Sequence, residues 1–155
     1  LPGVAGVADA GRNPMIDRRE PDRAELGAAL LRVTLGGLFL VHAAMKVFVF
    51  TPAGTAKFFM SLGLPGPLAY LTIALEIVGG LALIAGIGIR ILPLILAAEL
   101  VGTIVTVHGH AGFFFNNPNG GWEYPAFWAV ALVVQSLIGP GAYALRLPGR
   151  VPAAA

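Results

Sequence analysis

The run of residues 26–50 restricts most strongly what this chain can become. At 1.5 Å of rise per residue, about 20 apolar residues cross the hydrocarbon of a bilayer, so this run is long enough to do so. Yet it carries Arg32, His42 and Lys46. An ionisable group at membrane depth costs a few kcal/mol on insertion scales; such groups face partners or a watery cavity and mark candidate functional sites. His42 and Lys46 are four residues apart and share a helix face. Arg32 precedes Lys46 by 14 residues, about four turns, which leaves it roughly 40° off that face.

Composition supports the membrane reading. Hydrophobic residues make up 57% of the 155 and charged residues 12%, whereas soluble domains approach about a quarter charged. The net charge is only +2 despite a pI near 9.4, and no basic stripe with interleaved aromatics occurs, so nucleic acid is excluded as a partner. The sequence contains no cysteine. Disulfide formation, dithiol chemistry and iron–sulfur ligation by this chain are therefore excluded, and a thiol redox role would need a partner protein.

Four apolar segments follow one another, at residues 26–50, 67–87, 91–107 and 124–138. They predict an all-α fold: a four-transmembrane-helix bundle over residues 25–147, with tails at 1–24 and 148–155. The first 24 residues mix Gly, Pro, Arg and Asp without hydrophobic period and read as a flexible tail. No signal-peptide pattern precedes the first span, which is expected to direct insertion itself. Arg12, Arg18, Arg19, Arg23, Arg90, Arg146 and Arg150 fall on one side of a four-span topology, and Lys57, with Lys46 near it, on the other. The positive-inside rule then places both termini in the cytoplasm, with the protein in a bacterial inner membrane.

Between the first two spans, residues 51–63 include Lys57, Phe58, Phe59, Met60 and Leu62, suited to a short amphipathic helix in the membrane interface. Residues 109–124 combine turn-forming Gly, Asn and Pro with Phe113, Phe114, Phe115 and Trp122, an aromatic belt at headgroup level. Within the spans, Glu76 shares a face with Gly79, Gly80 and Leu83, small residues that let helices approach and so turn Glu76 inward. Glu99 is followed by Gly102, Thr103 and Thr106 as a polar stripe, and the last span brings Gln135 with Trp128 one heptad earlier. Each helix thus offers a polar group to a shared interior axis.

Taken in order, these pieces resemble the DoxX family of small four-helix bacterial membrane proteins. They are Arg32, Gly36, Phe39, His42 and Lys46; Phe-Phe-Met-Ser-Leu-Gly-Leu-Pro at 58–65; Glu-Ile-Val-Gly-Gly-Leu-Ala-Leu-Ile-Ala-Gly at 76–86 with Arg90 after it; Gly112-Phe113-Phe114; Glu123-Tyr124; and Gly139-Pro140-Gly141. The resemblance covers nearly everything after residue 26. It implies membership of a redox complex, because some relatives look like subunits of quinone-linked sulfur oxidation, such as thiosulfate:quinone oxidoreductase, and others join complexes of oxidative-stress or thiol homeostasis. The residues carried over are Arg32, His42, Lys46, Glu76, Arg90, Glu123 and Tyr124. Ala43 stands where Gly commonly follows the His, and Glu99 lies outside the family pattern.

Two readings of the buried charges stay open. One is a structural ion-pair network fixing helix register. The other is a pocket in which His42 or Lys46 donates to a quinone carbonyl while Glu76 relays a proton. The ligand and relay candidates are Arg32, His42, Lys46, Glu76, Glu99, Glu123 and Tyr124. His42, His108, His110 and Glu123 also invite haem or zinc, but interfacial hydrogen bonding accounts for them. The glycines, 21 in all, lie in apolar helices and form neither a dinucleotide fingerprint nor a P-loop. The expected partners are the lipid bilayer, other membrane-complex subunits and a quinone, and the chain is expected to be an accessory subunit of a quinone-linked oxidoreductase rather than a complete enzyme.

Overall fold

The structure is a computed structural model that describes residues 20–145. Residues 1–19 and 146–155, with the readings of Arg12, Arg18, Arg19, Arg146 and Arg150, lie outside the described residues; Arg23 and Ala24, read as the end of the first tail, already belong to the first helix. Among the described residues the chain is all-α, with α1 Arg23–Ala44, α2 Pro52–Ser61, α3 Pro67–Ala85, α4 Leu92–Thr103 and α5 Glu123–Ile138. Both α1 and α4 run on into wider, π-helical turns, Met45–Val49 and Ile104–His108.

Local chemistry sets the helix ends. Asp22 and Glu25 form a reciprocal capping box, in which each carboxylate accepts from the other residue's backbone N–H, at 2.8 and 3.1 Å. Pro52, Pro67 and Pro93 stand in the first turns of α2, α3 and α4, where a missing N–H is harmless. Gly86 ends α3 in the left-handed region at φ +82°, a conformation that a side chain would strain.

Three helical stretches, Arg23–Val49, Pro67–Ala85 and Leu92–Ala111, are long and apolar enough to cross a membrane. The fourth, α5, is apolar but has 16 residues, about 24 Å of helix. The outward surface is correspondingly apolar: Leu30, Phe48, Phe127 and Leu137 are all more than 70% exposed. In water this would be a liability, but against lipid it costs nothing.

Helices α1 and α3 pack along one another, as do α4 and α5, and α3 and α4 form the hairpin expected from their short connection. A side chain on Gly36 would bring its Cβ to 2.6 Å from the Gly80 carbonyl oxygen, so α1 and α3 meet backbone to backbone. Leu35, Phe39, Leu83, Leu96, Leu100, Trp128 and Leu132 fill the core between the two pairs. The start of α1, the α3–α4 turn and the last described residues share one end of the bundle. There the Ala142 N–H donates to the Glu25 carbonyl at 2.9 Å, the Leu145 N–H to the Ala85 carbonyl at 2.8 Å, and the Ser136 hydroxyl to the Arg90 carbonyl at 2.7 Å. The other end carries α2 and the 109–122 loop.

Candidate functional site

The buried polar groups form two clusters rather than one continuous axis. The first is at the end where the described chain starts. Arg32, 1% exposed, forks its guanidinium over the end of α3. One nitrogen donates to the carbonyls of Leu83 and Ile84, and the other donates to that of Ala142 at 2.8 Å. A helix C-terminus offers unpaired carbonyls and partial negative charge, and a cation satisfies both. Gln135, fully buried, donates to the Gly139 carbonyl at 2.7 Å, closing α5 in a related way.

The second cluster is at the α2 end. Lys46 sits in the π-helical turn, where the Phe50 N–H reaches back five residues to the Met45 carbonyl at 2.9 Å. The Lys46 ammonium lies 2.7 and 2.9 Å from the two carboxylate oxygens of Glu76. The glutamate side chain is 6% exposed and the lysine 20%, so the pair is held mostly away from solvent. Glu76 does turn inward beside Gly79 and Gly80, as its face predicts.

Glu99 is within electrostatic reach of both members of that pair. Its Oε2 is buried and has no hydrogen-bond partner among the described residues. A buried carboxyl oxygen without a protein partner is costly.

Beside this cluster lies a cavity of about 590 Å³, walled by the π-helical turns of α1 and α4 and roofed by α2. That size falls within the range of small-molecule sites. Its polar lining includes Lys46, Glu99, Thr103, Thr106 and both His42 and His108; Met45, Phe50, Phe58 and Phe59 supply apolar wall. A second hollow of about 330 Å³ shares Phe59, Leu64, Thr72, Glu99, Thr103 and Thr106 with the first and continues between α3 and α4. Glu99 thus stands on the wall common to both.

The other predicted residues are placed as follows. The His42 ring lines the cavity and packs against Trp128 at 5.1 Å, ring centre to centre, tilted by 59°. One oxygen of Glu123 accepts from the Phe115 N–H at 2.9 Å, which pins the aromatic loop to the start of α5. Tyr124 is half-exposed and packs at 5.8 Å on Trp128. Neither Glu123 nor Tyr124 lines either hollow. Nδ1 of His108 lies 2.9 Å from the Gly120 carbonyl, and His110 is exposed; among the described residues no three His, Cys, Asp or Glu side chains are grouped to share a metal ion.

Sequence reasoning missed Thr55 and Thr72 in the walls and read Phe59 only as part of an interfacial helix. Thr72 precedes Glu76 by four residues, and Thr55, Phe59 and Leu62 recur at helical spacing along α2. Both patterns place residues on one face and were readable signals. The two π-helical turns left no such signal.

Apolar helices, outward-facing hydrophobic side chains and charges kept inside define a small integral membrane protein of the helix-bundle class. This chain belongs to the DoxX family, whose sequence pattern matches residues 27–109, more than half of the chain. That match ends before the Gly112-Phe113-Phe114, Glu123-Tyr124 and Gly139-Pro140-Gly141 pieces, so it is shorter than the resemblance expected from the motifs. A Bacillus subtilis (strain 168) protein named "Putative oxidoreductase CatD" is 40% identical over 92 residues, which cover 59% of this chain and 67% of that protein. No solved structure matches.

Proposed function

We propose that this protein is a membrane subunit of a redox complex and that it offers the cavity beside Glu99 to the ring of a quinone. The observation that carries the reading is the unpartnered Glu99 oxygen on the wall of a ligand-sized, mostly apolar hollow, next to a lysine. An ammonium has three N–H donors, and Glu76 takes two of those of Lys46. Among the described residues the third has no partner, and it would donate to a ring carbonyl. Glu99 then holds or passes a proton at the same ring, while Phe58 and Phe59 keep water from it. A bound quinone supplies two-electron, two-proton redox chemistry; the electrons come from a partner subunit. The oxidoreductase name of the Bacillus subtilis relative agrees with this reading.

The same reading takes four membrane crossings, with α5 as the shortest, in a bacterial inner membrane. The end bearing Arg23 and Arg90 faces the cytoplasm, because Lys/Arg excess marks that side.

A specific observation favours a second reading, in which the protein only anchors other subunits. Lys46 and Glu76 satisfy one another and join α1 to α3, which needs no ligand. Decylubiquinone titrated into the purified protein in nanodiscs, followed by tryptophan fluorescence, separates the two, since Trp128 packs on His42 of the cavity wall. Saturable quenching is expected, weakened about tenfold or more by Glu99→Leu at unchanged melting temperature. If the wild-type protein shows no saturable quenching, the quinone reading is overturned and the anchoring one stands.

A further inference from the structure

We infer that the hollow between α3 and α4 is the passage by which a lipid-soluble ligand reaches the cavity sideways from the bilayer and along which its apolar tail lies. This rests on the reading of the cavity above and adds where the ligand comes from and what shape it has. The two hollows are neighbours that share Phe59, Thr72, Glu99 and Thr103 in their linings, so a group in one lies against residues that also line the other. Their linings differ in kind. The larger has Lys46, His42 and His108, whereas beyond the shared residues the smaller adds Leu68, Leu71, Leu75 and Ile95 with no charged side chain. A molecule with a polar head and a hydrocarbon tail matches that sequence of walls.

Position fits as well. Leu71 and Ile95 are exposed on the outer face of the helix pair, which is the face that meets lipid. From Leu68 to Leu75 the hollow follows α3 for about two turns, roughly 10 Å, away from the α2 end toward the middle of the bundle. A head near Lys46 and His108 therefore sits toward the membrane surface while the tail runs toward the bilayer interior, the arrangement an amphiphile already has in lipid. Lipid tails are as apolar as leucine side chains. The hollow accordingly gives the tail little binding energy of its own; its contribution is steric, an exit for the tail while the head is seated.

Gly102 supplies the means of testing this. It lines the α3–α4 hollow, and a Cβ added there meets nothing within 4 Å. Gly102→Ala, Gly102→Leu and Gly102→Phe therefore obstruct the passage in steps without striking a neighbour at Cβ. Two probes with one head are compared in nanodiscs: 2,3-dimethoxy-5-methyl-1,4-benzoquinone, which has no tail, and its decyl derivative. For each probe the variant is compared with wild type, so partition into the lipid cancels.

The expected result is a loss of affinity for the decyl probe that grows from Ala to Phe and reaches about tenfold or more. The tailless probe keeps its wild-type affinity throughout, and melting temperatures stay at or above wild type through Leu. If both probes lose affinity alike, or neither does, the passage is overturned while the cavity reading survives. If neither probe binds wild type, the cavity reading fails and the passage with it.

Discussion

At the scale of the residue, two buried cations serve different ends. Lys46 is neutralised by a carboxylate, so removing either partner strands a charge in an apolar bundle, a change that costs about 3 kcal/mol in buried pairs. Lys46→Met and Glu76→Gln are each expected to destabilise by that order, and the double variant to recover most of the loss. Unfolding of all four proteins in one detergent gives the coupling energy directly, and additive losses would show that the pair contributes no mutual stabilisation. Arg32 answers to carbonyls instead. Only a planar fork reaches both the α3 terminus and Ala142, so Arg32→Lys is expected to lose about 2 kcal/mol despite keeping the charge, with faster proteolysis around residues 139–145. Equal stability and protection in that variant would mean that charge alone suffices. The sequence made the first role readable, because Glu76 comes with Gly79 and Gly80 and Lys46 with His42, four residues before it. It could not reveal the second. A carbonyl acceptor belongs to every residue alike, and no side chain near Arg32 announces that its partners are main chain.

At the scale of the element, the α1–α3 crossing depends on two absent side chains. A Cβ on Gly36 would stand 2.6 Å from the Gly80 oxygen and 2.7 Å from Ile84, while one on the adjacent Gly37 meets nothing within 4 Å. Gly36→Ala must push two backbones apart, which overpacked contacts put at about 1–3 kcal/mol of destabilisation. Gly37→Ala only gains helix propensity, by up to about 1 kcal/mol. Melting temperatures are therefore expected to fall for the first and hold or rise for the second. Equal effects would remove close backbone contact as the reason for Gly36. Helix extents were legible to within a few residues because apolar length, first-turn prolines and Gly86 all mark them. The widened turns after Ala44 and Thr103 were not. They change which carbonyl each N–H finds, from four residues back to five, while the side chains there stay as apolar as in ordinary helix. Met45, Lys46, Val107 and His108 from the two widened turns line one cavity; of the candidates read from the sequence, His42, Lys46 and Glu99 line it with them, whereas Arg32, Glu76, Glu123 and Tyr124 do not, because side-chain type does not reveal where such turns fall.

At the scale of the whole molecule, the question is how many times the chain crosses the bilayer. Three stretches have the length to do so, and α5, with 16 residues, is short for it. The backbone bonds from Ala142 to Glu25 and from Leu145 to Ala85 nevertheless return the last described residues to the end where α1 starts. A chain that leaves and returns in this way crosses an even number of times, so α5 is expected to complete a fourth crossing, with the bilayer thinning or residues 139–145 filling the interface. Arg23 and Arg90 lie at one end, and Lys57 with the aromatic loop at the other, so the end with Arg23 and Arg90 is expected on the cytoplasmic side. Because the sequence contains no cysteine, each position can be probed by a single introduced thiol against a silent background. In intact cells, an impermeant maleimide is expected to label Lys57→Cys and Phe114→Cys but to reach Arg90→Cys only after the membrane is opened. Labelling of Arg90→Cys in intact cells, with Lys57→Cys protected, would invert the orientation. Labelling of Phe114→Cys and Arg90→Cys from the same side would mean that α4 does not cross, and with it would fall the placement of Glu99 at membrane depth on which the cavity depends.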